Sequence, residues 1–175
     1  MKASERAEKI ELFVLDVDGV LTDGGLYYDS RGRVAKRFDV QDGLGIKLAQ
    51  AAGIHVAAIS GLDSSAVESR VQELGIREYH AGHREKVPLL KDICFRLGVD
   101  LENTAYIGDD WVDAGPMLAV GLPMAVANAR PEIKGISWWV SASSGGCGAV
   151  REAVMFLLEC QGKTEGLWRQ WAGND

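Results

Sequence analysis

Residues 12–24 read LFVLDVDGVLTDG, an apolar run that leads directly into the closely spaced carboxylates of Asp16 and Asp18. Because side chains alternate between the two faces of a strand, an Asp-x-Asp at a strand end directs both carboxylates the same way. Gly19 then allows the backbone to turn away. Two negative charges held this close need a cation, and carboxylate oxygens suit Mg²⁺. The stretch therefore predicts a magnesium site at the carboxyl end of a parallel strand, with one aspartate free to attack phosphorus.

Apolar segments of strand length alternate with helical segments along the rest of the chain. The predicted strands are residues 12–15, 54–59, 104–107, 122–126 and 138–140. The predicted helices are residues 42–52, 64–74, 86–97 and 113–120. Near-continuous apolar strands separated by amphipathic helices indicate an α/β fold, a Rossmann-like, doubly wound parallel sheet. Ligands of such sheets lie outside the carboxyl ends of the strands.

One segment interrupts this alternation directly after the Asp-x-Asp loop. Residues 25–28 and 33–39 have strand character and are joined by the turn-forming residues 29–32. We expect a β-hairpin there. Such a hairpin would either cover the site as a flap or pair with another subunit.

Length, charge and cysteine content narrow the class of protein. The 175 residues suit one domain over residues 1–175, with a core over 10–160 and a tail over 161–175. A formal net charge of −6 argues against nucleic acid as a partner. No segment approaches the ~20 apolar residues of a membrane span. Three cysteines without a Cys-x-x-Cys pair fit a reducing compartment, so we expect a cytoplasmic protein without membrane association.

The ends of two further segments carry residues that handle phosphate. Ser60 and Gly61 follow the second predicted strand, where a hydroxyl and backbone N–H groups just before a helix can bind an anion. Lys86 opens the helix of residues 86–97, and its ammonium can neutralise a phosphoryl group. We expect Ser60, Gly61 and Lys86 to bind the phosphate of a substrate, with Ser60 and Lys86 also taking part in catalysis.

A second acidic cluster follows the third predicted strand and contains Asp109, Asp110 and Asp113. Asp109 is expected to complete the metal site with Asp16 and Asp18. Asp110 or Asp113 would be a further ligand or would orient the ligands.

Together these residues describe a two-step hydrolysis of a phosphate ester. Asp16 attacks the phosphorus in line, while Lys86 and the metal offset the equatorial charge. Asp18 protonates the leaving alkoxide and then activates the water that hydrolyses the aspartyl-phosphate. Any one of these short patterns is common in ordinary loops. Their joint occurrence after successive buried strands favours a catalytic site.

The same positions give the chain a resemblance to the haloacid dehalogenase superfamily of phosphotransferases. The four motif positions are Asp16-x-Asp18, Ser60, Lys86 and Gly108-Asp109-Asp110-x-x-Asp113. Within that superfamily the chain resembles the capless phosphatases of the 3-deoxy-D-manno-octulosonate 8-phosphate phosphatase group. The segments that carry this finer resemblance are LTDG (21–24) with the hairpin, FDVQDGLGI (38–46) and GGCGAVRE (145–152).

The resemblance implies a Mg²⁺-dependent phosphatase of lipopolysaccharide biosynthesis that acts on phosphorylated eight- or nine-carbon sugar acids. It implies substrate contacts from Asp42, Gly43 and Arg151. It also implies a homotetramer in which hairpins associate and the glycine-rich C-terminal segment reaches a neighbouring active site. Leu62 stands where the group commonly has an arginine, and Glu85 where it commonly has an aspartate. The missing guanidinium removes a bidentate clamp for a carboxylate, so the particular sugar acid is left open.

Two other classes of protein share parts of this pattern. A receiver-like phosphoacceptor domain also places carboxylates and a lysine at parallel strand ends, but its phosphoacceptor follows the third strand. A non-catalytic or weakly active module for oligomerisation or regulation in sugar-acid metabolism is the other alternative. The complete catalytic set argues against that alternative.

Overall fold

Two β-sheets occur in the part of the chain that the structure, a computed structural model, describes, namely residues 2–83 and 85–173. The strands are β1 Leu12–Asp16, β2 Tyr27–Tyr28, β3 Val34–Ala35, β4 His55–Ile59, β5 Glu78–His80, β6 Thr104–Gly108, β7 Leu122–Ala125 and β8 Trp139–Val140. The larger sheet has the order β5-β4-β1-β6-β7-β8, and all its neighbouring pairs are parallel. The smaller one is the antiparallel hairpin β2-β3.

Helices cover the parallel sheet. They are α1 Ala3–Ala7, α2 Val40–Ala51, α3 Ser65–Leu74, α4 Lys86–Leu97, α5 Ala114–Ala119, α6 Pro131–Ile136, α7 Ala149–Cys160 and α8 Thr164–Ala172. α2 packs against α3 and α7, whereas α4 and α6 pack against α5. Every residue of β1 and of β6 is buried, as expected for strands covered on both faces. These observations confirm the predicted α/β fold.

The strand order places a crevice beside β1. From β1 the chain proceeds to β4 and β5 on one side of the sheet, and then crosses to β6, β7 and β8 on the other. The connections that leave β1 and β6 therefore diverge at their carboxyl ends. Ligands of open α/β sheets bind at such a reversal of strand order.

The predicted strands and the four predicted helices are all present, with small differences at their ends. The hairpin is also present, but β2 and β3 have only two residues each, fewer than the predicted 25–28 and 33–39. α2 begins at Val40 rather than at residue 42, because the Asp39 carboxylate accepts the N–H of Gln41 at 2.7 Å and caps the helix. α1, β5, α6, α7 and α8 were not predicted. β5 has only three residues, too few to show a period of two.

The predicted tail is helical over most of its length. In α8, Leu167 packs against the core, whereas Trp168 and Trp171 are exposed. Asn174 and Asp175 lie outside the described residues. Among the helices that the structure describes, none combines the length and the apolar character needed to cross a membrane.

Candidate active site

Asp16 ends β1 at the reversal of strand order and is almost completely buried. The chain then makes a tight turn over residues 17–21, in which Asp18 and Gly19 leave the helical region. Gly19 has a φ of +98°, and a Cβ there would lie 2.1 Å from Asp109 Oδ2. Glycine therefore lets this loop approach the second acidic cluster.

Three carboxylates converge next to this loop. Asp16, Asp109 and Asp113 each bring one oxygen to within 4.8 Å of the others. Burial, followed by the charge of Asp113, raises the pKa of Asp16 to about 8. Burial, followed by the charges of Asp113 and Asp110, raises the pKa of Asp109 to about 7. A divalent cation relieves such crowding, and carboxylate oxygens are the hard ligands that Mg²⁺ prefers, so this donor set fits the predicted ion.

Lys86, the first residue of α4, lies between two of these carboxylates. Its ammonium donates to Asp16 Oδ1 and, at 2.7 Å, to Asp113 Oδ1. Burial by itself lowers the pKa of Lys86, but the charges of Asp16 and Asp113 more than offset this effect, so its pKa is raised. The structure thus places the positively charged ammonium of Lys86 against Asp16, the predicted nucleophile.

Asp113 has both carboxylate oxygens hydrogen-bonded. Oδ1 accepts from Lys86 and, at 2.8 Å, from the hydroxyl of Tyr106, while Oδ2 accepts the backbone N–H of Asp109 at 3.0 Å. Asp113 therefore orients Lys86 and the Asp109 loop, which is one of the two roles considered for it. Tyr106 was not among the predicted site residues. A phenol near the end of an otherwise aliphatic strand is the signal that identifies it, since a buried hydroxyl needs a partner.

Ser60 directly follows β4, beside β1, and is completely buried. Its hydroxyl donates to the carbonyl of Leu62 at 2.8 Å and accepts the N–H of Leu62 at 3.1 Å. These bonds form a tight turn just before α3, with open space around Gly61. The loop lies where a phosphate was predicted to bind, with the Ser60 hydroxyl turned to its own backbone.

Asp18 and Asp110 lie outside the cluster of three carboxylates. Asp18 Oδ1 accepts from Lys36 Nζ at 2.5 Å, and Lys36 comes from the hairpin. Asp110 is exposed and accepts the N–H of Trp111 at 2.7 Å. The Asp18 carboxylate therefore contacts a hairpin lysine, and its role as a metal ligand stays a prediction. Sequence reasoning missed Lys36, which directly follows β3 in a segment whose burial alternates with a period of two.

Asp42, Gly43 and Arg151, the predicted substrate contacts, lie at the junctions between helices. Asp42 is completely buried, and its carboxylate accepts the N–H of Gly148 at 3.2 Å and of Arg151 at 2.8 Å. It therefore caps α7 from a neighbouring helix, and burial raises its pKa. A Cβ on Gly43 would meet Arg70 Nη2 at 2.3 Å. The Arg151 side chain lines a cleft between α2, α7 and α8. Within the single chain these three residues contact neighbouring helices, and their contact with a substrate stays a prediction.

The glycine-rich segment, residues 145–148, packs against the Asp-x-Asp loop of its own chain. The N–H of Gly146 donates to the carbonyl of Val20 at 2.9 Å. A Cβ on Gly145 would lie 1.7 Å from the carbonyl oxygen of Gly19. Direct backbone contact of this kind admits only glycine. The segment therefore supports the site of its own chain, and the reach into a neighbour's site that the family resemblance implies stays a prediction.

Comparison with known proteins agrees with this geometry. A family model described as haloacid dehalogenase-like hydrolase matches residues 78–153. The 3-deoxy-D-manno-octulosonate 8-phosphate phosphatase of Haemophilus influenzae is 44% identical over 160 residues, which cover 91% of this chain and 89% of the relative.

Two solved structures show the same similarity in three dimensions. The 3-deoxy-D-manno-octulosonate 8-phosphate phosphatase of Moraxella catarrhalis, in complex with magnesium, phosphate and KDO, has a TM-score of 0.94 and 36% identity, with 97% of each chain covered. The cobalt-bound phosphatase of Haemophilus influenzae has a TM-score of 0.88 and 44% identity, with 91% of this chain and 93% of that chain covered.

Proposed function

Since the chain belongs to the haloacid dehalogenase-like hydrolases, in the group of 3-deoxy-D-manno-octulosonate 8-phosphate phosphatases, we propose that it is a Mg²⁺-dependent phosphomonoesterase that acts on that sugar-acid phosphate. The observation that carries the proposal is the convergence of Asp16, Asp109 and Lys86 at the reversal of strand order. The substrate assignment is supported by the name of the Haemophilus relative and by the sugar acid bound in the Moraxella structure.

Asp16 is the nucleophile in the proposed reaction. Lys86 bonds its Oδ1, which leaves Oδ2 for in-line attack on phosphorus. Asp16 and Asp109 would hold the Mg²⁺ ion, whose charge lowers the pKa of these carboxyls and balances that of the phosphoryl group. Lys86 adds a fixed positive charge beside the equatorial oxygens.

Asp18 is the general acid and base. It lies two residues from the nucleophile, outside the carboxylate cluster, and its side chain is 25% exposed. It can therefore reach a leaving oxygen or a water molecule at the mouth of the site. The backbone N–H groups of the loop at Ser60 and Gly61, just before α3, would hold the phosphate oxygens during transfer.

We extend the proposal to assembly and location. The hairpin exposes Leu26, Tyr27 and Tyr28, an apolar surface that supports association through hairpins into a homotetramer. Cys94, Cys147 and Cys160 are free thiols, which supports a cytoplasmic location.

A phosphate-release assay with Mg²⁺ tests the proposed activity. The substrates are 3-deoxy-octulosonate 8-phosphate, the 9-phosphates of ketodeoxynonulosonate and N-acetylneuraminate, and common hexose phosphates. We expect the highest kcat/KM on the octulosonate, and loss of turnover on chelation of the metal. A nonulosonate 9-phosphate as the best substrate would correct the sugar acid alone. A stable phosphoprotein without turnover would show that the chain is a receiver-like phosphoacceptor domain and not a phosphatase.

A further inference from the structure

Lys36 is buried on a hairpin whose other residues mostly face solvent. Its side chain is 1% exposed, whereas Tyr28, Ala35 and Arg37 are exposed. Its ammonium donates to Asp18 Oδ1 at 2.5 Å. Among residues 2–83 and 85–173, no other side chain is hydrogen-bonded to either partner. The hairpin therefore contributes one inward-facing charge, and that charge is directed at Asp18.

The pairing of the hairpin explains why Lys36 faces inward. The isolated antiparallel bridge between Thr22 and Phe38 closes its base, and Tyr28 pairs with Val34 nearer the tip. Along the returning arm of the hairpin, which includes β3, Val34 and Phe38 are half-buried and the Lys36 side chain is buried, while Ala35 and Arg37 are exposed. A strand period of two therefore places the lysine on the face towards the site.

The Asp18 side chain needs a contact from another segment to fix its rotamer, because the local backbone around Asp18 is irregular. It lies in the irregular turn after β1, with φ −85° and ψ 106°, directly before the left-handed Gly19. A carboxylate there has no regular neighbours to fix its rotamer. The ion pair with a buried ammonium fixes it, and loss of one partner of such a pair leaves the other charge unpaired. Lys86, the other lysine of the site, is bonded to Asp16 and Asp113.

We propose that Lys36 is a positioning residue that holds the Asp18 carboxyl in line with the leaving oxygen, a role that rests on the proposed phosphatase activity. Before the first step Asp18 carries a proton on Oδ2, while its Oδ1 accepts from Lys36. In that step the bond from phosphorus to the leaving oxygen breaks, and the leaving oxygen takes this proton, so that Asp18 becomes a carboxylate. In the second step Asp18 takes a proton from water, the water oxygen bonds to phosphorus, and the bond from phosphorus to the Asp16 oxygen breaks.

The leaving group provides a readout that a merely structural lysine would not change. An alkoxide needs the proton of Asp18, whereas nitrophenolate leaves without it. We would compare wild-type protein, Lys36→Met and the control Arg33→Met, an exposed residue of the same hairpin. The substrates are 3-deoxy-octulosonate 8-phosphate, glucose 6-phosphate, which lacks a carboxylate, and p-nitrophenyl phosphate.

For Lys36→Met we expect kcat/KM to fall by about 100-fold on both alkyl phosphates and by less than about 5-fold on p-nitrophenyl phosphate, in line with the usual contribution of a general acid. The slowed second step should also produce a burst of nitrophenolate. Arg33→Met should match the wild type on all three substrates. Lys36→Gln, which keeps a neutral donor, should show the same selectivity with a smaller loss, and it carries the test if the methionine variant does not fold.

Three results would overturn the positioning role while leaving the phosphatase intact. Equal losses on all three substrates would reduce Lys36 to a support of the hairpin. A loss confined to the octulosonate would make it a ligand of the sugar carboxylate. Unchanged kinetics would remove it from the reaction. If wild-type protein releases phosphate from none of the substrates, the proposed function fails, and the role of Lys36 fails with it.

Discussion

Asp113 shows how one buried carboxylate organises the candidate site. It receives hydrogen bonds from Lys86, from Tyr106 and from the backbone of Asp109, so three elements of the site share one anchor. Buried hydrogen bonds to a charged acceptor are among the stronger ones in proteins. The donors to Asp113 should therefore matter for stability as well as for catalysis.

Tyr106→Phe tests this anchor because it removes one hydroxyl and keeps the ring. We expect the free energy of unfolding to fall by about 2 kcal/mol, the usual value for a hydrogen bond to a charged group. The matched control is Tyr79→Phe, since the hydroxyl of Tyr79 is buried without a partner among the described residues. Urea denaturation of both variants decides the matter. A loss in Tyr79→Phe as large as that in Tyr106→Phe would contradict the account.

The stability of the metal-free protein should depend on pH, because the pKa of Asp16 is raised to about 8 and that of Asp109 to about 7. Both carboxyls bind a proton more tightly when folded than when unfolded. Their contribution to stability is therefore full below the unfolded pKa of 3.8 and is lost as pH rises through the folded values.

We expect the melting temperature of metal-free protein to fall as pH rises from about 5 to about 8, and stabilisation by Mg²⁺ to grow over the same range, because metal binding displaces protons. Thermal denaturation with chelator or with Mg²⁺ at each pH measures the difference. Stabilisation by Mg²⁺ that does not change with pH would show that these carboxyls are already ionised.

At the scale of elements, the loop after β1 is held from two sides. The hairpin contacts it through Lys36, and residues 145–148 contact it through their backbone. Those residues lead directly into α7, whose amino terminus Asp42 caps from α2. The position of the nucleophile loop thus depends on the packing of α2 against α7.

Gly145→Ala tests the backbone contact. The added Cβ would lie 1.7 Å from the Gly19 carbonyl oxygen, so the loop or the segment must move. We expect kcat to fall by about 100-fold, as misplacement of a reacting group by about 1 Å typically causes. Gly135→Ala, in α6 with open space around the Cβ, is the control and should retain full activity. Steady-state kinetics that are the same for both variants would show that the contact does not position the loop.

The sequence predicts these elements unevenly, for physical reasons. The sequence predicts β1 and the loops at Ser60 and Asp109 because each combines a buried apolar run with a polar residue at its end, and it predicts Lys86 as the first residue of an amphipathic helix. The sequence does not predict the role of Asp42, because its hydrogen-bond partners are backbone N–H groups of α7, which lies far along the chain. The sequence also does not predict the role of Lys36, because the strand pairing of the hairpin determines which face the lysine is on.

At the scale of the whole molecule, the hairpin presents an apolar surface, formed by Leu26, Tyr27 and Tyr28, that a single chain leaves exposed. We expect the protein to sediment as a tetramer, and Tyr28→Ser, at a side chain that is 66% exposed, to shift it to smaller species. Analytical ultracentrifugation of both proteins measures this. The control is Trp168→Ser on α8, distant in sequence and 71% exposed, which should remain tetrameric. A wild-type monomer would rule out shared sites.

The central claim is that Asp16 forms a covalent bond to phosphorus, and acid quenching during turnover tests it most directly. Peptide mapping by mass spectrometry of protein quenched within the first turnover should find a phosphoryl group on Asp16, formed and lost at rates that account for kcat. Asp16→Asn should show neither the adduct nor phosphate release. Turnover without any adduct, an adduct on another aspartate, or an active Asp16→Asn variant would contradict the account.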